Sequence, residues 1–372
     1  MIKVGITGQN GFIGQHVYNT LGLFPEEFER VAFHKDFFEH DHKLDAFVSQ
    51  CDVIVHLAAL NRHNDAEVIY NTNIALVSTL ISSLERTKSE AHILMSSSSQ
   101  EENDTAYGTS KKAGRRLLSD WAAQTKGTFT GMLIPNVFGP FGNPYYNSVV
   151  ATFSHQIANG ETPKIEVDGD LKLIYVGELV AEILKIIREK NTEALYTVAH
   201  TAEAKVSELL RLLQNYKTQY QDHGEIPTIN NTFALNLFNT YRCYMDVANY
   251  FPVKFTQHTD PRGSFVEVIR LGVGGQVSFS TTVPGITRGN HYHTRKIERF
   301  AVIKGKALIQ LRKIGTDEVL DFYLDGDQPG YVDMPIWYTH NIKNIGDTVL
   351  YTNFWINEFF DPEDSDTYFE DV

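Results

Sequence analysis

The strongest constraint on the fold sits at the start of the chain. Ile2-Lys-Val-Gly-Ile-Thr7 reads as a buried strand, and it runs directly into Gly8-Gln-Asn10-Gly11-Phe12-Ile13-Gly14. Apolar spacing then predicts an amphipathic helix over roughly Phe12 to Leu23. Glycines at those positions permit a tight turn and let the backbone approach a pyrophosphate, which rests on the free N–H groups of the helix N-terminus. A glycine triplet alone is a weak signal. A strand before it and a helix after it predict a doubly wound, parallel α/β sheet that binds a dinucleotide.

The next segments fit that sheet. Arg30-Val-Ala-Phe-His34 is a predicted strand that leads into His34-Lys35-Asp36. An acid at such a strand end suits the ribose hydroxyl of NAD, whereas basic groups suit a 2′-phosphate, so His34 and Lys35 point to NADP(H). Asp52-Val-Ile-Val-His-Leu57-Ala58-Ala59 is a further strand, whose small residues at its end let a dinucleotide lie against the backbone. Asn73, in the helix that follows, reads as structural.

His92-Ile-Leu-Met-Ser-Ser97-Ser98-Ser99 is a strand ending in hydroxyls, and Tyr107-Gly-Thr-Ser-Lys111 comes soon after. Tyrosine and lysine four apart on a helix share one face. The ammonium lowers the phenol pKa, so the tyrosine can exchange a proton with a substrate oxygen while hydride moves at carbon. A nearby serine would hold that same oxygen. Together these residues resemble the extended short-chain dehydrogenase/reductase family that acts on nucleotide sugars, a Rossmann-type fold, over Met1 to about Arg242. Pro135-Asn136-Val-Phe-Gly-Pro140 is similar to that family's opening of the sugar-nucleotide half, with Asn136 as a substrate contact, and Leu173 to Glu178 is similar to its later strand-to-helix passage. The resemblance implies that Tyr107 donates the proton, that Lys111 modulates it and contacts the ribose, and that Ser98 holds the oxygen. Two departures stand out. Only eight residues separate Ser98 from Tyr107, which keeps Ser97 a rival, and Ile134 replaces an arginine that often precedes the proline.

Further on, Asn147 to Gly160 and Val206 to Tyr220 read as helices of a substrate half, while Phe233 to Tyr250, rich in Phe, Tyr and Asn, suits a domain junction. Around Met245 to His258 the helical periodicity stops, and short β-branched and aromatic strands with Gly-rich turns take over. That change predicts two domains, 1–245 and 246–372, the second all-β. Within the second, His291 and His293 stand two apart, on one face of a strand, with Glu298 and the distant His340 completing a set of N and O ligands. Such a set can hold a divalent metal such as zinc and leave positions open. The spacing Gly-x5-His-x-His-x4-Glu-x6-Gly, then Pro335 to Asn344, resembles the two-part cupin signature, with Trp337 where a glycine is usual.

Asp260-Pro-Arg262-Gly-Ser-Phe-Val-Glu267 and Arg288-Gly-Asn-His291 are similar to segments of the sugar-nucleotide 3,5-epimerases, which are cupins. That resemblance implies Arg262, Glu267 and Arg288 as nucleotide-sugar contacts and His291 as the counterpart of the catalytic base. A metal-bound His291 could not act freely as a base, and Glu298 falls about where those epimerases keep a lysine. The base is then a metal-bound hydroxide or a side chain such as Tyr338 or Lys296, or else the metal is structural. The acidic, aromatic tail from Asn357 to Val372 reads as a solvated end or as a dimer contact of the kind such cupins form.

At 372 residues the chain can bury two cores, and its formal charge of −13 excludes a general nucleic-acid binder. Two distant cysteines offer no disulfide framework, and no run is apolar enough to insert in a membrane. With a strand at the very start and no signal peptide, a cytoplasmic location is expected. The fusion resembles bifunctional capsular-polysaccharide enzymes that work towards UDP-N-acetyl-L-fucosamine. It implies a homodimer in which the cupin epimerises C3 of a UDP-2-acetamido-2,6-dideoxy-4-hexulose and NADPH then reduces C4. The competing readings are a plain reductase with a binding or dimerisation cupin, and a metal-dependent sugar isomerase that merely holds NAD+.

Overall fold

The computed structural model describes residues 1–261 and 263–372, with the backbone alone at 263–265. By its internal contacts the chain divides into two compact units, Met1–Val149 with Asp168–Val206, and Val150–Val167 with Ser207–Val372.

In the first unit the opening strand forms over Ile2–Thr7 (β1) and the helix over Phe12–Leu21 (α1). Phe28–Val31 (β2), Asp41–Val48 (α2), Val53–His56 (β3), Ala66–Thr87 (α3), His92–Ser98 (β4), Ala106–Gln124 (α4) and Thr128–Ile134 (β5) follow. The sheet runs β2-β1-β3-β4-β5 and ends with a short strand at Tyr196–Thr197, every pairing parallel. With β2 on one side of β1 and β3 on the other, the winding reverses at β1. The carboxyl ends of β1 and β3 therefore form the switch point at which such sheets take ligands.

Both faces of this sheet are covered, which explains its unbroken apolar strands. Val53, Val55 and Leu94 join one core with α1 and the helix Val176–Glu189, while Ile54, Ile93 and Met95 join the other with α2, α3 and α4. Full burial of each such side chain contributes about 1.5–3 kcal/mol. One boundary differs from the sequence expectation. β2 stops at Val31, because Phe33 turns into a cluster with Phe37, Phe38 and Phe47. His34 and Lys35 thus lie beyond the strand, at the start of a single 3-10 turn, Lys35–Glu39.

The second unit holds two antiparallel five-stranded sheets. One runs Val253–Lys254, Gly330–Met334, Glu298–Lys304, Leu350–Ile356, Gln276–Thr282; the other runs Val319–Asp325, Lys306–Lys313, Tyr338–Asn344, Thr287–Tyr292, Tyr368–Phe369. Phe300, Val302 and Val332 of the first sheet and Ile309, Leu311, Phe322 and Ile342 of the second share one core.

The Phe-, Tyr- and Asn-rich stretch forms the helix Thr232–Arg242, capped by the Asn231 side chain, which accepts the Ala234 N–H. Its role lies within the β unit. Asn239 donates to the Arg295 carbonyl at 2.9 Å and Arg242 to the Met334 carbonyl at 3.0 Å. Nearby, Tyr220 donates to buried Asp333 at 2.6 Å, and Arg299 grips the same carboxylate at 2.7 and 3.0 Å. Strand alternation sends Arg299 to these groups and its neighbour Glu298 to the histidines. No helix among the described residues is long and apolar enough to cross a membrane.

Candidate functional site

The glycine loop is built by close approach. Gly8 has a φ of +76°, and a Cβ there would lie 2.8 Å from the Ala58 nitrogen and 3.1 Å from the Leu57 carbonyl carbon. Gly11 precedes α1 and donates its N–H to the Gly8 carbonyl at 2.9 Å. A Cβ at Gly14 would run into that same carbonyl oxygen. Three glycines thereby hold β1, the end of β3 and α1 against one another. The first N–H groups of α1, at Phe12, Ile13 and Gly14, lack acceptors within the helix, which fits a pyrophosphate. Asn10 lies in the loop, and its carbonyl accepts from Gln15 at 3.4 Å. Beyond β2, Asp36 is paired with Lys43 at 2.5 Å, and that hydrogen bond holds its carboxyl below the usual range. The acid is already engaged, while His34 and Lys35 are exposed. This donor set fits a 2′-phosphate better than a bare ribose.

The serine strand end and α4 are locked together. Thr105 caps α4 by accepting the Gly108 N–H at 3.1 Å, and a Cβ at Gly108 would run into the Gln100 carbonyl. The two rival serines have different surroundings. Ser97 is buried and donates to Glu101, which Arg115 grips through two bonds of 2.8 Å. Ser98 is half-buried, and its oxygen accepts the Gln100 N–H at 3.1 Å, leaving its proton free to donate.

Lys111 is buried one turn after Tyr107, with its Nζ 6.0 Å from the phenol ring centre. Burial pushes its ammonium down to about 8, although the charge of Glu101 works the other way. The expected lowering of the phenol does not appear in this arrangement. Burial raises Tyr107 above its ordinary value, and a hydrogen bond with the Asn61 side chain offsets part of that. Asn61 is itself steadied by its N–H, which donates to the Tyr146 hydroxyl at 3.3 Å. Sequence reasoning missed Asn61, because a lone Asn in a loop carries no pattern. Asn73 has the structural role expected: it bonds both ways with the Leu60 main chain and donates to Ser110.

The second unit brings His291, His293, Glu298 and His340 together, with one ligand atom of each within 4.8 Å of the others. His291 and His340 stand opposite each other on paired strands, and Glu298 opens a strand of the other sheet. The Glu298 Oε2 lies 3.2 Å from His293 Nε2, 3.1 Å from His340 Nε2 and 3.9 Å from His291 Nε2. Two rings are oriented from behind. His293 Nδ1 donates to the Asp366 carbonyl at 2.6 Å and His340 Nδ1 to the Tyr338 carbonyl at 3.1 Å, so both turn Nε2 inward. That is the outer support metal-bound imidazoles require, and these residues fit a divalent ion. Burial pushes His291 down to about 4, keeping it neutral. Burial opposes the charge of Glu298 too, but its bonds to His293 and His340 hold it well below the carboxylate range.

Trp337 accounts for its own oddity. Its φ is +61°, the conformation a glycine there would favour, yet its N–H donates to the His293 carbonyl at 2.8 Å and its ring stacks on Tyr292 at 5.6 Å. Lys296 is buried and donates to the Ser365 carbonyl at 2.6 Å, while burial raises the Tyr338 phenol well above its ordinary value.

The remaining expected sugar contacts have the following surroundings. Asn136 is exposed and donates to the Lys172 carbonyl at 3.3 Å. Arg288 is exposed on Thr287–Tyr292, and Glu267 is exposed but paired with Arg270 at 2.8 Å. Arg262 lies outside the described residues.

Comparison with known proteins places the chain. Residues 4–199 match the NAD-dependent epimerase/dehydratase family and residues 258–368 match the polysaccharide biosynthesis C-terminal domain. The chain belongs to the NAD-dependent epimerase/dehydratase family, with a parallel α/β Rossmann-type sheet and, toward the C-terminus, an all-β region of antiparallel sheets. Over its whole length it is similar to the capsular polysaccharide assembling protein CapF from Staphylococcus aureus, at 34% identity, with a TM-score of 0.62 and 100% of each chain covered. It is also 31% identical to the UDP-2-acetamido-2,6-beta-L-arabino-hexul-4-ose reductase of Pseudomonas aeruginosa, over 99% of this chain and 98% of that protein. A shorter likeness, 27% identity over 30% of this chain and 82% of the relative, is to the spore coat polysaccharide biosynthesis protein SpsL of Bacillus subtilis.

Proposed function

We propose that this chain is a bifunctional nucleotide-sugar enzyme of capsular-polysaccharide synthesis. Its cupin unit inverts C3 of a UDP-2-acetamido-2,6-dideoxy-4-hexulose, and its first unit reduces the C4 ketone, towards UDP-N-acetyl-L-fucosamine. The name of the Pseudomonas relative supports the reductase half. One observation carries it: a buried Lys111 sits one helical turn from a Tyr107 phenol that Asn61 hydrogen-bonds, beside a serine strand end. NADPH, resting on the glycine loop with His34 and Lys35 toward its 2′-phosphate, would supply the hydride. Tyr107 gives its proton to the C4 oxygen, Ser98 holds that oxygen, and Lys111 contacts the ribose and stabilises the phenolate left behind.

The epimerase half rests on the chemistry of the same sugar. A 4-keto group acidifies the hydrogen on C3, so a base can remove that proton and return it from the other face. Reduction abolishes the acidity and fixes the new configuration, which sets the order: epimerise, then reduce. A divalent ion held by His291, His293, Glu298 and His340 would polarise a carbonyl there. His291 is the most exposed of the four side chains, at 19%, which suits the side from which a substrate approaches. Arg262, Glu267 and Arg288 are the proposed nucleotide-sugar contacts. A homodimer and a cytoplasmic location belong to the same proposal.

The test uses the UDP-linked 4-hexulose in heavy water with the Tyr107→Phe protein and no NADPH. Deuterium is expected at C3, and the unsubstituted protein with NADPH should then trap the epimer as an alcohol. Tyr107→Phe should lower the reduction rate by about 10²–10⁴-fold while leaving NADPH binding intact. If no deuterium enters while the parent still oxidises NADPH, the chain is a plain reductase whose cupin serves binding or assembly.

A further inference from the structure

The chain's last turn and strand pack onto the histidine cluster. Tyr368–Phe369 pairs antiparallel with Thr287–Tyr292, setting Phe369 opposite His291. Just before it, Asp366 is 4% exposed and adopts a φ of +41°, a left-handed conformation that Asp tolerates better than most residues. Its carboxylate accepts the N–H groups of Thr294, Arg295 and Lys296, each at 3.0 Å, and the Thr294 hydroxyl at 2.6 Å. Three successive N–H groups converging on one anion form a nest, which fixes the turn they belong to. That turn is the loop between His293 and Glu298. The Asp366 carbonyl meanwhile accepts His293 Nδ1–H at 2.6 Å. Neighbours reinforce the hold: Lys296 donates to the Ser365 carbonyl at 2.6 Å and Arg295 to the Asp364 carboxylate at 2.9 Å.

We propose that Asp366 is a positioning residue of the metal centre: its carboxylate sets the loop that spaces His293 from Glu298, and its carbonyl turns His293 Nε2 inward. The C-terminal strap is thereby a working part of the site. This rests on the reading of the four side chains as a divalent-metal site. A merely structural Asp366 would lower stability and metal affinity together. A positioning one lowers affinity while the metal-free fold persists, because losing an outer partner of a metal-bound His costs about 10–100-fold in affinity.

The experiment takes metal-stripped full-length parent, Asp366→Asn and Asp366→Ala. Zinc affinity is measured against a chromophoric chelator, the cobalt absorption spectrum is recorded, and the metal-free proteins are melted. Asn keeps the size and the left-handed preference but places an NH2 group among the donors. The expected result is zinc binding about tenfold weaker in Asp366→Asn and closer to hundredfold weaker in Asp366→Ala, with an altered cobalt spectrum. The metal-free melting temperature of Asp366→Asn should stay within about 4 °C of the parent's. If the parent binds zinc and Asp366→Asn binds it equally, with an unchanged spectrum, Asp366 positions nothing and the metal reading stands. Affinity lost only in step with collapse of the metal-free fold overturns the inference as well. A parent that takes up neither zinc nor cobalt overturns the metal reading and this inference with it.

Discussion

At the scale of single residues, the proposed reductase centre holds a charge where water cannot reach. Lys111 is 2% exposed and burial brings its ammonium from 10.5 to about 8. Below about pH 8 the folded and unfolded forms are both protonated, and the folded state bears the whole cost of that buried charge, on the order of 3 kcal/mol. Between about pH 8 and 10.5 the unfolded chain binds more protons, so stability rises with pH through that window. Lys111→Met should therefore melt higher than the parent at neutral pH, by about 1–3 kcal/mol of added stability, while losing sugar reduction. In the parent, kcat/KM for NADPH should fall as pH rises through about 8, since the free enzyme then loses the ammonium. A melting series and a pH profile check both. Ser97 and Ser98 teach a related lesson. They are equivalent as letters in a row of four serines, and the fold distinguishes them by burying Ser97 against the Glu101–Arg115 pair while Ser98 stays half-buried.

Among the elements, strand, loop and helix at the N-terminus were legible because each glycine answers a local need. Gly14→Ala places a methyl against the Gly8 carbonyl oxygen, so α1 must shift away from the loop. NADPH binding should weaken by more than about tenfold and stability should drop by about 1–3 kcal/mol. Fluorescence titration of NADPH and a melting curve would show it, with unchanged zinc uptake as the control. The end of β2 was less legible. Arg30 to His34 has strand-like letters, but Phe33 finds better burial in an aromatic cluster than on an edge strand, and the strand stops early. The helix Thr232–Arg242 was recognisable as an unusual composition and not as a support, because its partners, the Arg295 and Met334 carbonyls, lie far off in sequence.

Over the whole molecule, the two candidate sites fall in two units, each with its own core. A ligand that binds only the folded state adds about 2.7 kcal/mol of stability at a hundredfold excess over its dissociation constant. NADPH and zinc should therefore each raise the melting temperature, and the two effects should be separable. His340→Ala should abolish the shift caused by zinc and preserve the one caused by NADPH, while Gly14→Ala should shrink the NADPH shift and preserve the zinc one. Scanning calorimetry with each ligand checks this. A zinc-induced shift that survives in His340→Ala would mean that the ion binds elsewhere.

The sequence by itself determined what is local or periodic: the glycine loop, the apolar strands buried on two faces, the change near residue 245 from helices to strands, and the spacing of His291, His293 and Glu298. These are visible because backbone conformation and strand alternation act over a few residues. Tertiary structure decided what depends on contacts between distant segments. It brought His340 across a strand pair to His291, gave Ser97 to Glu101, set Asn61 on the Tyr107 phenol, and folded Asp366 back onto a loop some seventy residues earlier. A buried polar group must find a partner wherever the fold supplies one, and nothing in the neighbouring residues says where that will be.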